Sequence, residues 1–274
     1  MTAFRQLHRP GAPLLMVNVW DRGTARMLEG MGAKALATSS AAHAFTRGRP
    51  DGGTLTRDEA LAHAQDIVAA VRVPVQGDFE NGFGADPETC AETVRLAAEV
   101  GLAGICIEDT ALPGKAPYAL DLAVERMRAA AAAARALPGD FVLTARADGV
   151  MLGTYDMDAA LARISAFAAA GADCLYVPMP PDMAALARIV AAAGHTPVNA
   201  LVAGRFTQMT HAEFARVGVA RLSVGSALAR VTHRAIHDAA RAMLETGDYT
   251  ALGSGIDSGV IDALLTRDDP ARST

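Results

Sequence analysis

The chain has 274 residues, 51% hydrophobic and 20% charged, and its 25 basic and 30 acidic side chains give a formal charge of −5. This composition excludes a disordered or fibrous protein, because it supplies ample apolar area for a core. The mild negative balance, with no dense Lys/Arg stripe, gives no electrostatic reason to hold a nucleic acid backbone or an anionic membrane.

From the N-terminus, residues 1–10 carry Arg5, His8 and Arg9 without the apolar core of a secretory signal, and no apolar run of about 18 residues follows. A cytoplasmic location is the expectation. Short apolar runs then alternate with Ala/Leu/Arg-rich stretches. Strands are predicted at residues 14–20, 35–39, 73–78, 104–108, 141–146, 174–178, 197–201 and 221–225, eight in all. Helices are predicted at 22–31, 57–71, 87–100, 120–136, 157–170, 182–193 and 211–217, with Thr56, Asp156 and Thr210 as N-caps and Pro87 in a first turn. A longer helix over 227–245 follows, then a polar Gly/Asp/Ser segment.

Strands that read as continuous apolar runs are buried on both faces, and their alternation with helices implies right-handed parallel crossovers. Eight such units predict a (β/α)8 TIM-type barrel: a single domain over residues 1–274, with 227–274 as a C-terminal helix and tail that could pack on a neighbouring subunit. A doubly wound sheet competes, but Val19-Trp20-Asp21-Arg22-Gly23 lacks a glycine-rich phosphate loop after the first strand.

In such a barrel the site lies at the C-terminal strand ends. The third strand ends Gly77-Asp78-Phe79-Glu80-Asn81-Gly82, the fourth Ile107-Glu108-Asp109 and the fifth Ala145-Arg146-Ala147-Asp148, while the loop after the second holds Asp51. Two acids one residue apart, followed by glycines, suit a hard divalent cation that keeps several waters, and a cation relieves the repulsion among the acids. An arginine beside them can clamp a substrate carboxylate through paired hydrogen bonds. Together they describe a site for an anionic ligand on a metal. Cys90, Cys106 and Cys174 form no CxxC pair, which argues against a disulfide framework or zinc site, and Cys106 and Cys174 read as buried, inert thiols. For His43 and Arg47, after the second strand, a lid role and a plain solvated loop both stay open. His195 and His211 have no motif around them, and His233 and His237 read as a surface pair.

The segments Asn18-Val19-Trp20-Asp21, Ala37-Thr38-Ser39-Ser40-Ala41, Gly48 to Gly53, Asp78 to Gly84, Ile107-Glu108-Asp109 and Ala145-Arg146-Ala147-Asp148 occur in the order found in the isocitrate lyase/phosphoenolpyruvate mutase superfamily. The chain resembles that superfamily, most nearly its mutase-like branch, from about residue 10 to residue 245. The resemblance implies an enzyme dependent on Mg2+, with Mn2+ as an alternative, that makes or breaks a C–C or C–P bond in a small 2-oxo or 2-hydroxy carboxylate through an enolate-like species. On this resemblance Asp78 is the direct metal ligand, and Asp51, Glu80 and Glu108 reach the metal through its waters. Ser39, Ser40 and Arg146 hold the substrate, joined by Trp20, Asp51 and Asn199. Arg146, Glu108 and Lys115 are the catalytic candidates. Family members commonly form dimers or tetramers by exchanging the C-terminal helix, which implies the same for the helix from Ala227.

The chain departs from the family after the fourth strand. The Lys-Lys-Cys-Gly-His of classical lyases and the Lys-x-Asn of mutases are replaced by Asp109-Thr110-Ala111-Leu112-Pro113-Gly114-Lys115-Ala116-Pro117-Tyr118. Lys115 approximates the family lysine, and Tyr118 is offered as a proton donor. Glu80 replaces the aspartate usual in mutases. The expected activity is C–C cleavage, or hydrolysis, of a dicarboxylate of the isocitrate, methylisocitrate, dimethylmalate or oxaloacetate type. Phosphonopyruvate hydrolysis or mutase-type phosphoryl migration is one alternative, and a non-catalytic 2-oxo acid binder is another.

Overall fold

The computed structural model describes residues 4–266. Eight strands, β1 (Leu14–Val19), β2 (Leu36–Thr38), β3 (Val75–Asp78), β4 (Gly104–Glu108), β5 (Val142–Arg146), β6 (Cys174–Tyr176), β7 (Val198–Leu201) and β8 (Arg221–Ser223), pair in sequence order. All pairings are parallel, and β8 returns to β1 with Met16 opposite Ser223, which closes the barrel. The predicted strands are all present, most of them one or two residues shorter than expected. Pro74, Pro178 and Pro197 explain part of the trimming, because a proline lacks the N–H that a ladder needs.

Outside the barrel lie α1 (Arg22–Gly30), α2 (Ser40–Thr46), α3 (Arg57–Ala70), α4 (Pro87–Glu99), α5 (Leu120–Ala136), α6 (Gly149–Leu152), α7 (Met157–Ala169), α8 (Met183–Ala193), α9 (His211–Arg216), α10 (Ala227–Thr246) and α11 (Ser258–Thr266). The predicted caps are where expected. Thr56 and Thr210 each accept from the N–H three residues on and receive a glutamate in return, while Asp156 accepts from the Ala159 N–H at 2.9 Å. The short helices α2 and α6 and the terminal α11 were not foreseen. α11 packs on α1, where Gly30 admits the Leu264 backbone: a Cβ at position 30 would lie 2.6 Å from the Leu264 carbonyl oxygen. Among the described residues no helix is long and apolar enough to cross a membrane.

The main core fills the layer between sheet and helices, with Phe79, Ile105, Met127, Leu143, Phe167 and Ile189 fully buried. Inside the barrel, strand alternation stacks the inward side chains in layers. The bottom is apolar, built from Met16, Ala37, Val142 and Cys174 and plugged by Phe4. A polar layer sits above it. Arg221, 1% exposed, donates to Asn199 Oδ1 (2.8 Å), Gln76 Oε1 (2.6 Å) and Thr144 Oγ1 (3.2 Å), and its Nη1 stands 3.1 Å from His8 Nε2. The top layer, one pleat further up each strand, opens to the mouth.

Candidate active site

β3 delivers Asp78 to the mouth, and its neighbours fix the carboxylate. The Ser40 N–H (2.9 Å) and hydroxyl (2.8 Å) both donate to Asp78 Oδ2, and the Asp78 N–H donates to Thr38 Oγ1 at 2.8 Å. Ser39 follows β2 directly as the N-cap of α2, its hydroxyl accepting from the Ala42 N–H. The β3–α4 loop then turns through Glu80 (φ 45°) and Phe83 (φ 63°), left-handed conformations that non-glycine residues rarely adopt. That turn is clamped from α5. The buried Arg126 guanidinium donates to the carbonyls of Asn81, Gly84 (3.1 Å) and Glu108 (3.4 Å), and Thr93 Oγ1 donates to the Gly82 carbonyl (2.9 Å). So held, Glu80 turns its Oε1 to accept from the Gly53 N–H at 3.0 Å, which ties the Asp51-containing loop to the site.

β4 and β5 place Glu108 opposite Arg146 in register. Arg146 Nη1 lies 3.4 Å from Glu108 Oε2 and 3.8 Å from Asp78 Oδ1, its Nε donates to Asp148, and its guanidinium carbon stands 5.5 Å from the centroid of the Tyr176 ring. Asp148 is itself placed by Asp109, whose Oδ1 accepts the Asp148 N–H (2.9 Å) while Oδ2 accepts from the Tyr155 hydroxyl (2.8 Å) and Arg163 (3.1 Å). Asp109 is thus committed to support, one step behind the site.

The result is a cavity of about 370 Å³ at the C-terminal ends of the strands, lined by Asp51, Asp78, Glu80, Glu108 and Asp148 against two cations, Arg146 and Lys115. The electrostatics follow from burial and crowding. Desolvation raises the Asp51 pKa, with repulsion from Asp78 adding to it. Burial pushes Glu80 up to about 7, reinforced by Asp78 and Asp51. Glu108 is driven well above the usual carboxylate range by burial and by Asp148. Burial opposes the charge of Arg146, but Asp148 and Glu108 outweigh it and hold its pKa well above the ordinary value.

This donor set consists of oxygens, with no His or Cys on the cavity wall. Among the described residues no three His, Cys, Asp or Glu side chains stand close enough to chelate one ion directly. Such a site fits a hard cation that retains most of its water shell, as Mg2+ does, held directly by one carboxylate and through water by others. It does not fit zinc.

The structure brings Ser39, Ser40, Asp51, Asp78, Glu80, Glu108, Lys115 and Arg146 onto one cavity wall. The expectations for Trp20, Tyr118 and His43 need correction, and Asn199 sits deeper than the mouth. Trp20 does not line the cavity, because β1 ends at Val19 and the chain turns there into the Asp21 cap of α1, with the Trp20 carbonyl 2.8 Å from His63 Nε2. Asn199 lies one layer below the mouth, its amide donating to Ser223 Oγ (2.9 Å) and accepting from Arg221, and it lines a small cavity there together with Asp78, Arg146 and Tyr176; the next inward residue of β7, Leu201, lines the mouth cavity itself. Tyr118 is buried away from the mouth cavity, its hydroxyl accepting from Asn81 Nδ2 (3.0 Å) and its ring beneath Arg126, so it is not placed to donate a proton there. His43 is neither lid nor solvated loop. It is buried in α2 and stacked on His63 at 3.8 Å, with its pKa lowered to about 4 by burial and by His63. Asp148 and Tyr176, whose contacts orient Arg146, and Arg126 were not assigned roles from sequence; the spacing of two between Arg146 and Asp148 was the available signal.

The phosphoenolpyruvate phosphomutase family model matches residues 4–244. A 2,3-dimethylmalate lyase of Eubacterium barkeri is 31% identical over 253 residues, covering 90% of this chain and 84% of the lyase. An uncharacterized protein of Mycobacterium tuberculosis is 33% identical over 229 residues, covering 82% of each chain. Among solved structures, a Burkholderia cenocepacia J2315 protein described as a lyase/mutase superposes with a TM-score of 0.91 at 44% identity, covering 97% of this chain and 95% of that one. Oxaloacetate acetylhydrolase superposes with a TM-score of 0.83 at 25% identity, covering 97% and 94%.

Proposed function

We propose, from the premise that this chain belongs to the phosphoenolpyruvate phosphomutase family of the isocitrate lyase superfamily, that it is a Mg2+-dependent enzyme cleaving a C–C bond in a small 2-oxo or 2-hydroxy dicarboxylate. The single observation carrying this reading is the all-oxygen, acid-rich cavity built around Arg146. Asp78, oriented by Ser40, would hold the metal, with Asp51, Glu80 and Glu108 reaching it through water. When bound, the cation acts as a Lewis acid toward the oxygen on which negative charge develops.

The residues of the chain supply the rest. Arg146, steadied by Asp148 and Tyr176, presents a fixed positive charge for the substrate carboxylate and for the enolate that forms. Ser39, whose hydroxyl accepts from the Ala42 N–H and keeps its own proton, offers that donor to the same end of the substrate, while Ser40 acts through Asp78. With a 2-hydroxy acid, the hydroxyl proton passes to a carboxylate, the bond between C2 and C3 breaks, and its electron pair leaves with the departing fragment as an enolate. Glu108, on the cavity wall with its Oε2 3.4 Å from Arg146 Nη1, is the carboxylate placed to take that proton. Lys115, at the exposed rim, supplies the positive charge and proton source in place of the lyase cysteine. With oxaloacetate the same charge stabilisation serves hydrolysis to oxalate and acetate.

Calorimetric titration of oxalate with Mg2+ present and with it chelated tests the reading. Oxalate should bind only with the metal, and Asp78→Ala should abolish that binding; metal-independent binding, or binding unaffected by Asp78→Ala, would overturn it. A turnover panel of oxaloacetate, 2,3-dimethylmalate, 2-methylisocitrate, isocitrate and phosphonopyruvate then separates C–C cleavage from phosphonate chemistry. Binding without turnover across the panel would identify a non-catalytic binder.

We also infer a homo-oligomer. α10 buries only Ala229 and leaves Val231, Ile236 and Leu244 exposed, Leu244 by 86%, on a helix of 20 residues. Apolar side chains so placed suit the same helix of a second copy, and thereby a homodimer or a homotetramer.

A further inference from the structure

β6 sends Tyr176 inward beside Arg146 of β5, because the two residues are paired in register. Strand alternation puts Cys174 below it, in the apolar bottom layer, and leaves Tyr176 as the last inward residue of its strand. Its side chain borders two spaces. It lines the mouth cavity with Asp78, Glu108 and Arg146, and a smaller cavity of about 40 Å³ beneath with Asn199 and Arg221. Tyr176 is 7% exposed, and among the described residues its hydroxyl has no hydrogen-bond partner. That oxygen is nevertheless not sealed from solvent: the one sealed and unpaired side-chain polar atom among the described residues is Nε of Arg126. A buried phenol with nothing to donate to is costly, so the hydroxyl depends on what occupies the space it borders.

Ring and hydroxyl have separate duties. The ring faces the Arg146 guanidinium, whose carbon lies 5.5 Å from its centroid, and helps to hold that cation in place. The hydroxyl is left for a ligand. Burial raises its pKa against the opposing charge of Arg146, so near neutral pH the phenol keeps its proton and is a donor. Such a donor adds no charge to the cavity, and it favours the more negative of two acceptors, since a hydrogen bond to an ionised oxygen is about twice as strong as one to a neutral oxygen. During cleavage the oxygen of the reacting carbonyl or enolate is the group whose charge changes. We propose that Tyr176 is a further catalytic residue, whose hydroxyl donates to the oxygen on which negative charge develops and forms with Arg146 an oxyanion site in the mouth. The phenol proton stays on its oxygen throughout, so no bond to it is made or broken. The inference rests on the function proposed above and adds a residue to its machinery.

Tyr176→Phe keeps the ring and removes the hydroxyl, and two ligands read the difference without requiring turnover. Oxalate carries negative charge where an enolate would carry it, whereas pyruvate presents a neutral carbonyl oxygen at that place. In titrations with Mg2+ present, Tyr176→Phe should bind oxalate about tenfold or more less tightly and pyruvate about threefold or less, as expected for losing a hydrogen bond to a charged and to a neutral acceptor. Tyr176→Leu, which also takes the ring away from Arg146, should weaken both ligands further and to similar extents. The oxalate-to-pyruvate ratio is taken within one variant, so a partly unfolded sample lowers both affinities alike and leaves the ratio readable. A ratio that does not fall in Tyr176→Phe overturns the oxyanion role, whether the two affinities hold or drop together, while oxalate binding by the parent keeps the underlying site. Failure of oxalate to bind the parent with Mg2+ overturns both.

Discussion

Arg126→Met removes a buried guanidinium whose donors serve the carbonyls of Asn81, Gly84 and Glu108 and whose face covers the Tyr118 ring at 3.9 Å. Each carbonyl left buried without its donor costs about 1–3 kcal/mol. Methionine restores much of the volume and relieves the cost of burying a charge, so part of that loss is returned. A net loss of about 2–4 kcal/mol remains, which lowers Tm by roughly 4–8 °C at about 2 °C per kcal/mol for a chain of this length. The functional effect is separate. The freed carbonyls belong to the turn that holds Glu80 in its left-handed conformation and to Glu108 itself, so both acids lose their fixed position. Loss of comparable supporting contacts typically weakens metal sites by about 10- to 100-fold, and Mg2+-dependent oxalate affinity should fall on that scale. Thermal melts of the metal-free protein and oxalate titrations with Mg2+ measure the two effects independently. An unchanged Tm would refute the stabilising role, and a lowered Tm with unchanged oxalate affinity would refute the positioning role.

Gly104→Ala should destabilise the barrel by about 1–3 kcal/mol or prevent soluble expression, because the new Cβ would sit 2.2 Å from the Val142 carbonyl oxygen of β5; a denaturant midpoint equal to that of the parent would contradict the register of β4 and β5. The buried histidines set an acid limb to stability. Burial holds His8 at about 3 and His43 at about 4, against 6.5 when unfolded, so between these values only the unfolded chain takes up the proton. Their stabilisation is present above pH 6.5 and is lost as pH falls toward 4, each with a slope approaching about 1.4 kcal/mol per pH unit. The unfolding free energy of His43→Phe, subtracted from that of the parent at pH 7.5 and at pH 5, isolates one slope and should show the parent losing its advantage on acidification. Replacing Ile236 and Leu244 with aspartate should lower the sedimentation coefficient to that of a monomer while leaving the melting curve of the barrel in place; an unchanged assembly would remove α10 from the interface.

Much of the fold was legible because its signals are local. Eight apolar runs punctuated by proline and glycine, and caps such as Thr56 with Glu59, report their own positions. The acids at the mouth were legible for the same reason, since each ends a strand whose direction the alternation gives. Depth inside the barrel was not. Asn199 and Leu201 share the inward face of β7, and the height of each layer is set by the stagger of all eight strands rather than by β7 alone. Trp20 failed similarly, since the strand phase that would turn it inward ends at Val19. Arg126, Arg163 and Arg221 were invisible because arginine is normally a surface residue, and burial is permitted here only by carbonyls, an aspartate and amides brought from distant parts of the chain.

Crystals grown with Mn2+ and oxalate, examined by anomalous diffraction at the manganese edge, test the central claim most directly. The account predicts a single strong peak beside the Asp78 carboxylate, with oxalate between the ion and Arg146. A manganese peak elsewhere, or oxalate bound at the mouth with no ion beside Asp78, would contradict it.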